Sequence, residues 1–207
     1  MGRPDDERDP SDDDDGPVYA SNADDSARPL SAVTDGTSSD VPYGAGRSRE
    51  ALLVGIADFE VTDDATLLKT SGLGSCIGVA VHDETAGVSG LLHFMLPAAA
   101  DAHSRRHPDA KFADTGISAM LSAFREIGGD PARSWAKSAG AATMVDFPGT
   151  NRSIGERNID AVTRELEAAG VRIAATDFGG QCGRSIEFDP VTGTLTVSRA
   201  DGSERML

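Results

Sequence analysis

Short apolar runs separated by turn residues fill the chain from residue 51 onward, and they constrain the fold more than any other feature. Runs that alternate apolar with small or polar residues, or that are rich in β-branched residues, are typical of strands. The expected strands cover residues 51–61, 66–71, 76–82, 88–96, 134–145, 171–177, 184–188 and 194–198. The runs 76–82 and 88–96 flank the turn 83–87, so we expect them to form a hairpin.

Two segments have helical periodicity instead. The first helix is predicted near 112–127, where Gly128-Gly129 stops it. The second begins at Ser153, because Ser153 and Glu156 have the spacing of a capping box, and Gly170 is its expected C′ residue. The predicted apolar faces contain Ile117, Met120, Leu121 and Phe124 in the first helix and Ile159, Val162 and Leu166 in the second. The pattern predicts an α+β fold: mixed, largely antiparallel β-sheets packed with two main helices in a single domain.

The first 50 residues differ in composition from the rest of the chain. They carry 13 acidic side chains against 5 arginines and almost no run of large apolar residues. Such a segment cannot bury enough apolar surface to offset the entropy lost on ordering. We therefore expect residues 1–46 to be a disordered acidic extension and residues 47–207 to form the folded domain, which is long enough for one core.

The charge of the chain limits its partners. The formal net charge is −15 and only three lysines occur. This balance argues against nucleic acid and against insertion into an anionic membrane, since both favour basic proteins. Acidity with few lysines favours a protein that stays soluble in high salt, as in a halophile, over an ordinary acidic protein of the cytosol.

The lack of a recognisable targeting signal and the small number of cysteines both favour the cytoplasm. The N-terminus lacks the apolar segment of a signal peptide, and no apolar run is long enough to span a membrane. Cys76 and Cys182 are too few for a disulfide framework, so we expect both thiols to be reduced. A free thiol in that setting can serve as a nucleophile.

Cys76 is the candidate nucleophile, because it opens a predicted buried strand directly after a glycine-rich segment. Glycines allow a tight turn and leave room for a substrate, and backbone N–H groups around Gly74 and Ser75 could hold an oxyanion. From the pattern alone, however, Cys76 is also a small hydrophobe suited to a core.

A thiol needs a base, and His93 is the candidate. It lies on the return strand of the predicted hairpin, which brings it to the same end of the sheet as Cys76. Thr70, at the end of the preceding strand, could orient the imidazole through its hydroxyl. From the pattern alone, a core or edge histidine and an ordinary strand threonine are the favoured interpretations.

Two blocks at this separation resemble the CheD family of chemoreceptor glutamine deamidases: Leu73-Gly74-Ser75-Cys76-Ile77-Gly78-Val79 and His93-Phe94-Met95-Leu96-Pro97. Further matches follow in order at Phe112-Ala113-Asp114-Thr115, Gly140-Ala141-Ala142, Ile154-Gly155-Glu156-Arg157-Asn158, Asp177-Phe178-Gly179-Gly180, Gly183-Arg184-Ser185 and Thr192-Gly193. The resemblance covers residues 51–199. The acidic extension, the loop with His103 and His107, and Cys182 depart from it.

The resemblance implies roles for three residues: Cys76 as nucleophile, His93 as the catalytic histidine and Thr70 as the third member. It implies hydrolysis of receptor glutamine side chains to glutamate and ammonia through a thioester, with no metal ion or organic cofactor. The implied partners are the cytoplasmic helices of chemotaxis receptors, as substrate, and a CheC-type phosphatase.

Other interpretations compete with this one. Gly74-Ser75-Cys76-Ile77-Gly78 also fits the nucleophile elbow of an α/β-hydrolase, although that fold expects a helix after the nucleophile and a histidine last in the chain. A non-catalytic adaptor that binds receptors or a CheC-type phosphatase is the alternative from another class. His103 and His107 have the spacing of a zinc pair, but no third ligand lies nearby, which favours solvated loop residues. Cys182 is expected to pack structurally.

Overall fold

The computed structural model of the chain describes residues 49–101, 107–143 and 152–207. The expected disordered extension, residues 1–46, lies outside this part of the chain. The described residues belong to one compact unit, Gly46–Leu207. No helix among them is long and apolar enough to cross a membrane.

Within the described residues, the strands form two five-stranded sheets. The first sheet has the order β1 (Ala51–Leu53), β3 (Leu67–Leu73), β8 (Arg184–Asp189), β9 (Thr194–Arg199) and β10 (Glu204–Met206). The second has the order β2 (Asp58–Thr62), β5 (Val88–Phe94), β4 (Ile77–Asp83), β6 (Trp135–Gly140) and β7 (Arg172–Phe178). Each sheet contains one parallel pair, β1 with β3 and β6 with β7, and its other pairs are antiparallel.

The two helices are α1 (Ala113–Glu126) and α2 (Ile154–Ala168), and short 3₁₀ turns occur at Ala99–Asp101, Asp109–Lys111 and Pro131–Arg133. The central strands β4 and β5 are buried at every residue. The core on their helix side includes Val79, Leu92, Ile117, Phe124 and Val162. The core between the two sheets includes Leu68, Ala80, Leu91, Ile186 and Phe188. Successive residues of β4 and β5 therefore alternate between two cores, and the domain has three layers: sheet, sheet and helices.

The predicted α+β class is confirmed, as are the hairpin and both helices. The four apolar residues predicted for the face of α1 are all buried. Ser153 caps α2 through a bond from the backbone N–H of Glu156, whose side chain accepts from the Ser153 backbone in return. Gly170 has a φ of 75°, which is the left-handed conformation expected just after a helix.

The strand predictions differ most from the structure at three places. The run 51–61 is two strands, because the chain breaks around Ala57, which has a φ of 58°, and crosses from one sheet to the other. The run 134–145 is shorter, since β6 ends at Gly140, where φ is 136°. The strand β10 was not predicted, because its residues are all exposed and have no apolar alternation.

Candidate active site

The open end of the β4–β5 hairpin brings Cys76 and His93 to the same face of the second sheet. Gly78 pairs with His93 across the two strands, and Cys76 precedes Gly78 by two positions. Cys76 lies just before β4 and packs against the core between the sheets. A side chain at Gly78, the position paired with His93, would meet Leu73 and Ile186 of the same core. The prediction that both residues fall at the same end of the sheet is confirmed.

Thr70 contacts His93 from the opposite sheet. Its Oγ1 lies 2.8 Å from Nδ1 of His93 and 2.8 Å from the carbonyl oxygen of Val54. A carbonyl can only accept, so the hydroxyl donates its single proton to Val54 and accepts from Nδ1–H. This assigns the tautomer of His93: the proton is on Nδ1 and the lone pair is on Nε2. The position of Thr70 differs from the prediction, since β3 continues past it to Leu73.

The Nε2 atom of His93 is buried and has no hydrogen-bond partner among the described residues. Burial lowers the pKa of His93 to about 4, because the charged imidazolium would lose its hydration. The imidazole is therefore neutral near pH 7 and presents a basic lone pair. Buried polar atoms are rarely left unpaired in native proteins, so this one needs an explanation.

Cys76 is half-buried and reduced. Burial raises the pKa of its thiol, and the bond from its own backbone N–H offsets only part of that effect. The resting pair is thus a neutral thiol and a neutral imidazole, not a preformed thiolate with an imidazolium. Proton transfer from sulfur to Nε2 would accompany attack on a substrate.

Backbone contacts hold the segment before Cys76 in place. The N–H of Gly74 donates to the carbonyl of Gly72, while the carbonyls of Gly74 and Cys76 accept from Ala142 and Ala141. Because the Gly74 N–H already has a partner, it is not a free donor for an oxyanion. The N–H group of Ser75 remains as an expected oxyanion donor near this segment, together with that of Cys76, which in the resting site bonds its own sulfur.

Asn158 is a site residue that the sequence did not single out. It lies in α2 with no exposed surface, and its Nδ2 donates to the carbonyls of Ser75 and Met95 at 2.9 Å each. Ser75 precedes Cys76, and Met95 follows His93 by two positions, so one side chain ties the two active segments together. The signal was present, since a polar residue on the core side of a helix needs buried partners.

The remaining candidates are not part of this cluster. Cys182 is half-buried and reduced, and its Sγ lies 3.9 Å from Oδ2 of Asp201. His107 contacts Lys111 and Phe112. His103 lies outside the described residues, so the suggested zinc pair stays untested. The α/β-hydrolase interpretation is wrong, because β4 and not a helix follows Cys76.

Comparison with known proteins shows the family of the chain. The family model described as CheD chemotactic sensory transduction matches residues 95–199. A protein of Haloarcula marismortui, named probable chemoreceptor glutamine deamidase CheD, is 42% identical over 169 residues, which cover 82% of this chain and 95% of that protein. The chain belongs to the CheD family. A second relative, the chemoreceptor glutamine deamidase CheD of Halalkalibacterium halodurans, is 37% identical over 75% of this chain and 98% of its own.

The resemblance seen in the sequence is therefore confirmed. The family-model match begins at residue 95 and leaves out Thr70, Cys76 and His93. Among solved structures, the hypothetical protein YfiH of Bacillus licheniformis aligns with a TM-score of 0.41 at 16% identity, over 60% of this chain and 51% of that one.

Proposed function

We propose that this CheD-family protein hydrolyses the carboxamide of glutamine side chains in chemotaxis receptors, with Cys76 as nucleophile, His93 as base and Thr70 as the residue that orients His93. The products are a glutamate side chain and ammonia. The named relatives support the substrate, and the buried polar cluster supports the chemistry.

In the first half of the reaction, Sγ of Cys76 attacks the carboxamide carbon of the glutamine, and Nε2 of His93 takes the thiol proton. The imidazolium then gives this proton to the departing nitrogen, and ammonia leaves a thioester on Cys76. In the second half, Nε2 removes a proton from water, which attacks the thioester carbonyl. Glutamate is released, and the proton returns from the imidazolium to the sulfur.

The neighbouring groups have supporting roles. Thr70 keeps the proton on Nδ1, so that the lone pair of Nε2 stays directed to where the sulfur reacts. The backbone N–H groups of Ser75 and Cys76 are the proposed oxyanion donors. Asn158 holds the backbone on both sides of the reacting pair at a fixed separation.

One observation carries the proposal: a buried imidazole whose Nδ1 is fixed while its Nε2 has no partner, on the face that Cys76 shares. His82 is a second buried histidine for comparison: its Nδ1 contacts Ser89 Oγ at 2.9 Å, its ring packs on Trp135, and neither of its nitrogens is among the buried unpaired atoms of the described residues.

The direct test is to incubate the protein with cytoplasmic receptor fragments and to measure ammonia and the fragment mass, which should rise by about 1 Da per converted glutamine. Cys76→Ala should give neither signal while keeping the unfolding temperature of the wild type. Conversion by Cys76→Ala would overturn the assignment of the nucleophile.

The alternative is a non-catalytic adaptor for receptors or for a CheC-type phosphatase. The two functions can coexist, so the test must separate them. If the wild type retains receptor fragments in a pulldown but never releases ammonia, the adaptor is correct. A CheC-type partner is tested by adding such a phosphatase and measuring whether the rate of ammonia release changes.

The proposed setting is the cytoplasm at high salt. Both cysteines are reduced, which the thioester route requires. The net charge of −15 implies self-repulsion that salt screens. The unfolding temperature should rise with KCl concentration, and a flat response would favour an ordinary acidic protein.

A further inference from the structure

A cavity of about 610 Å³ opens at the end of β7, outside the cluster described above. Its polar walls include three arginines. The residues that matter here are Asp177, Gly179, Gly180, Arg184, Arg199 and Arg205. The proposed reaction uses none of them.

All three arginines contact one carboxylate. Arg184 bonds Oδ1 of Asp177, while Arg199 and Arg205 contact Oδ2, the latter at 3.3 Å. The side chains of Asp177 and Arg184 are 4% and 2% exposed, against 27% for Arg199 and 57% for Arg205. The buried pair forms the floor, and the other two arginines are open to the cavity.

The arginines are not fully neutralised by this arrangement. Asp201 is the second carboxylate of the lining, and its Oδ1 accepts bonds from Ser203. Three guanidinium groups therefore face two carboxylates, an excess of positive charge on a chain whose net charge is −15. The guanidinium groups of Arg199 and Arg205 are the more exposed members of this cluster. Accessible guanidinium groups in a polar cavity fit an anionic ligand that accepts hydrogen bonds.

The cavity is linked to the candidate nucleophile through the backbone. Gly179 donates to the carbonyl of Gly140, and the carbonyl of Cys76 accepts from Ala141, the next residue. The strands β4, β6 and β7 are neighbours in that order, so the turn at Gly179 lies two strand spacings from Cys76, about 10 Å. One substrate chain can reach both places.

We infer that this cavity, the arginine pocket (Asp177, Arg184, Arg199 and Arg205), binds a carboxylate side chain of the substrate protein and so selects glutamines that have an acidic neighbour. The inference rests on the proposed function, whose substrate it narrows. A separation of about 10 Å corresponds to about three residues of extended chain or about seven residues of helix. A carboxylate accepts two parallel bonds from a guanidinium. A neutral amide in place of the carboxylate, or a lysine in place of the arginine, cannot form this pair of bonds.

The test compares glutamine peptides that carry Glu at one of these spacings with twins that carry Ala there. The full-length protein should favour the acidic peptide about tenfold in kcat/KM, as expected for one charge-assisted hydrogen bond. The acidic-to-neutral ratio should fall toward one in Arg205→Gln and below one in Arg205→Glu. Arg172→Gln is the matched control, because Arg172 is exposed at the opposite end of β7 and should leave the ratio unchanged.

Binding is measured separately, as the affinity of both peptides for Cys76→Ala with and without Arg205→Gln. If the wild type releases no ammonia from any peptide but the acidic preference in binding depends on Arg205, the proposed function fails and the arginine pocket stands. If deamidation occurs with a ratio near one, or with a ratio that Arg205→Gln leaves unchanged or that Arg172→Gln lowers equally, the pocket assignment is overturned.

Discussion

The two ends of the β4–β5 hairpin both bury polar side chains, but they satisfy them very differently. At the turn, Asp83 has no exposed surface and accepts bonds from the backbone N–H groups of Thr85, Ala86 and Asp130 and from Arg133. At the open end, His93 is equally buried, yet only Nδ1 has a partner.

The pKa values follow this difference. Burial alone would raise the pKa of Asp83, but the bonds from Arg133 and the backbone more than offset it, so the pKa is lowered. Nothing offsets burial at His93, and its pKa falls to about 4. The polar group of Asp83 is satisfied by the fold, whereas Nε2 of His93 is left able to bind a proton or a substrate atom.

Replacing the base should have the largest effect. His93→Gln keeps the volume and a polar end but cannot cycle a proton, so we expect kcat to fall about 10³-fold. The unfolding temperature should fall only modestly, because the bond from Nδ1 to Thr70 is lost whereas Nε2 makes no bond that could be lost. Ammonia release under saturating substrate measures the loss. If the variant kept more than a tenth of the wild-type kcat, His93 would not be the base.

A substitution at the opposite end of the hairpin should lower the free energy of unfolding instead of the activity. Asp83→Asn loses the ion pair and places an amide N–H₂ against groups that all donate, which should cost about 3 kcal/mol in the free energy of unfolding. Activity per folded molecule should not change. Urea unfolding measures the cost, with the exposed Asp63→Asn as a control expected within about 0.5 kcal/mol of the wild type. If Asp83→Asn lost most of its activity and kept the stability of the wild type, the proposed difference between the two ends of the hairpin would be wrong.

Thr70 tests whether the tautomer matters. Thr70→Val removes the acceptor for Nδ1–H at nearly constant volume, so the imidazole can rotate or change tautomer, and kcat should fall about tenfold. Thr70→Ser keeps the hydroxyl and should recover most of the rate. Equal activity of Val and Ser variants would mean that the contact with His93 is only structural.

The acid side of the pH profile gives the smallest expected change. The neutral imidazole is the active form, and it persists until the pH falls through about 4. Between pH 7 and 5.5, kcat/KM should therefore drop less than about twofold, whereas a histidine with its ordinary pKa of about 6.5 would lose about tenfold. A fall of kcat/KM with an apparent pKa near 6.5 would contradict the assignment of a neutral thiol and a neutral imidazole in the resting site.

Much of the fold could be predicted from the local sequence pattern, because the helices and the hairpin depend on residues that are close together in the chain. The capping box at Ser153 and the apolar face of α1 are examples. The break near Ala57 was missed, since the alternation of apolar residues does not reveal that a chain changes sheets.

The candidate site was predictable only in part for a related reason. The hairpin register alone places His93 and the residue after Cys76 at the same end of the sheet. The carbonyl of Val54, the amide of Asn158 and the arginine pocket depend on contacts between elements distant in sequence, and no spacing rule encodes them.

The thioester on Cys76 is the most direct test of the whole account. Acid quenching of wild type during turnover of a receptor fragment, followed by intact-mass measurement, should reveal a covalent complex with the summed mass less one ammonia, and hydroxylamine should release it. The complex should form in Cys182→Ala and not in Cys76→Ala. A complex that survives in Cys76→Ala, or ammonia release that depends on Cys182 instead, would contradict the assignment of Cys76 as the nucleophile.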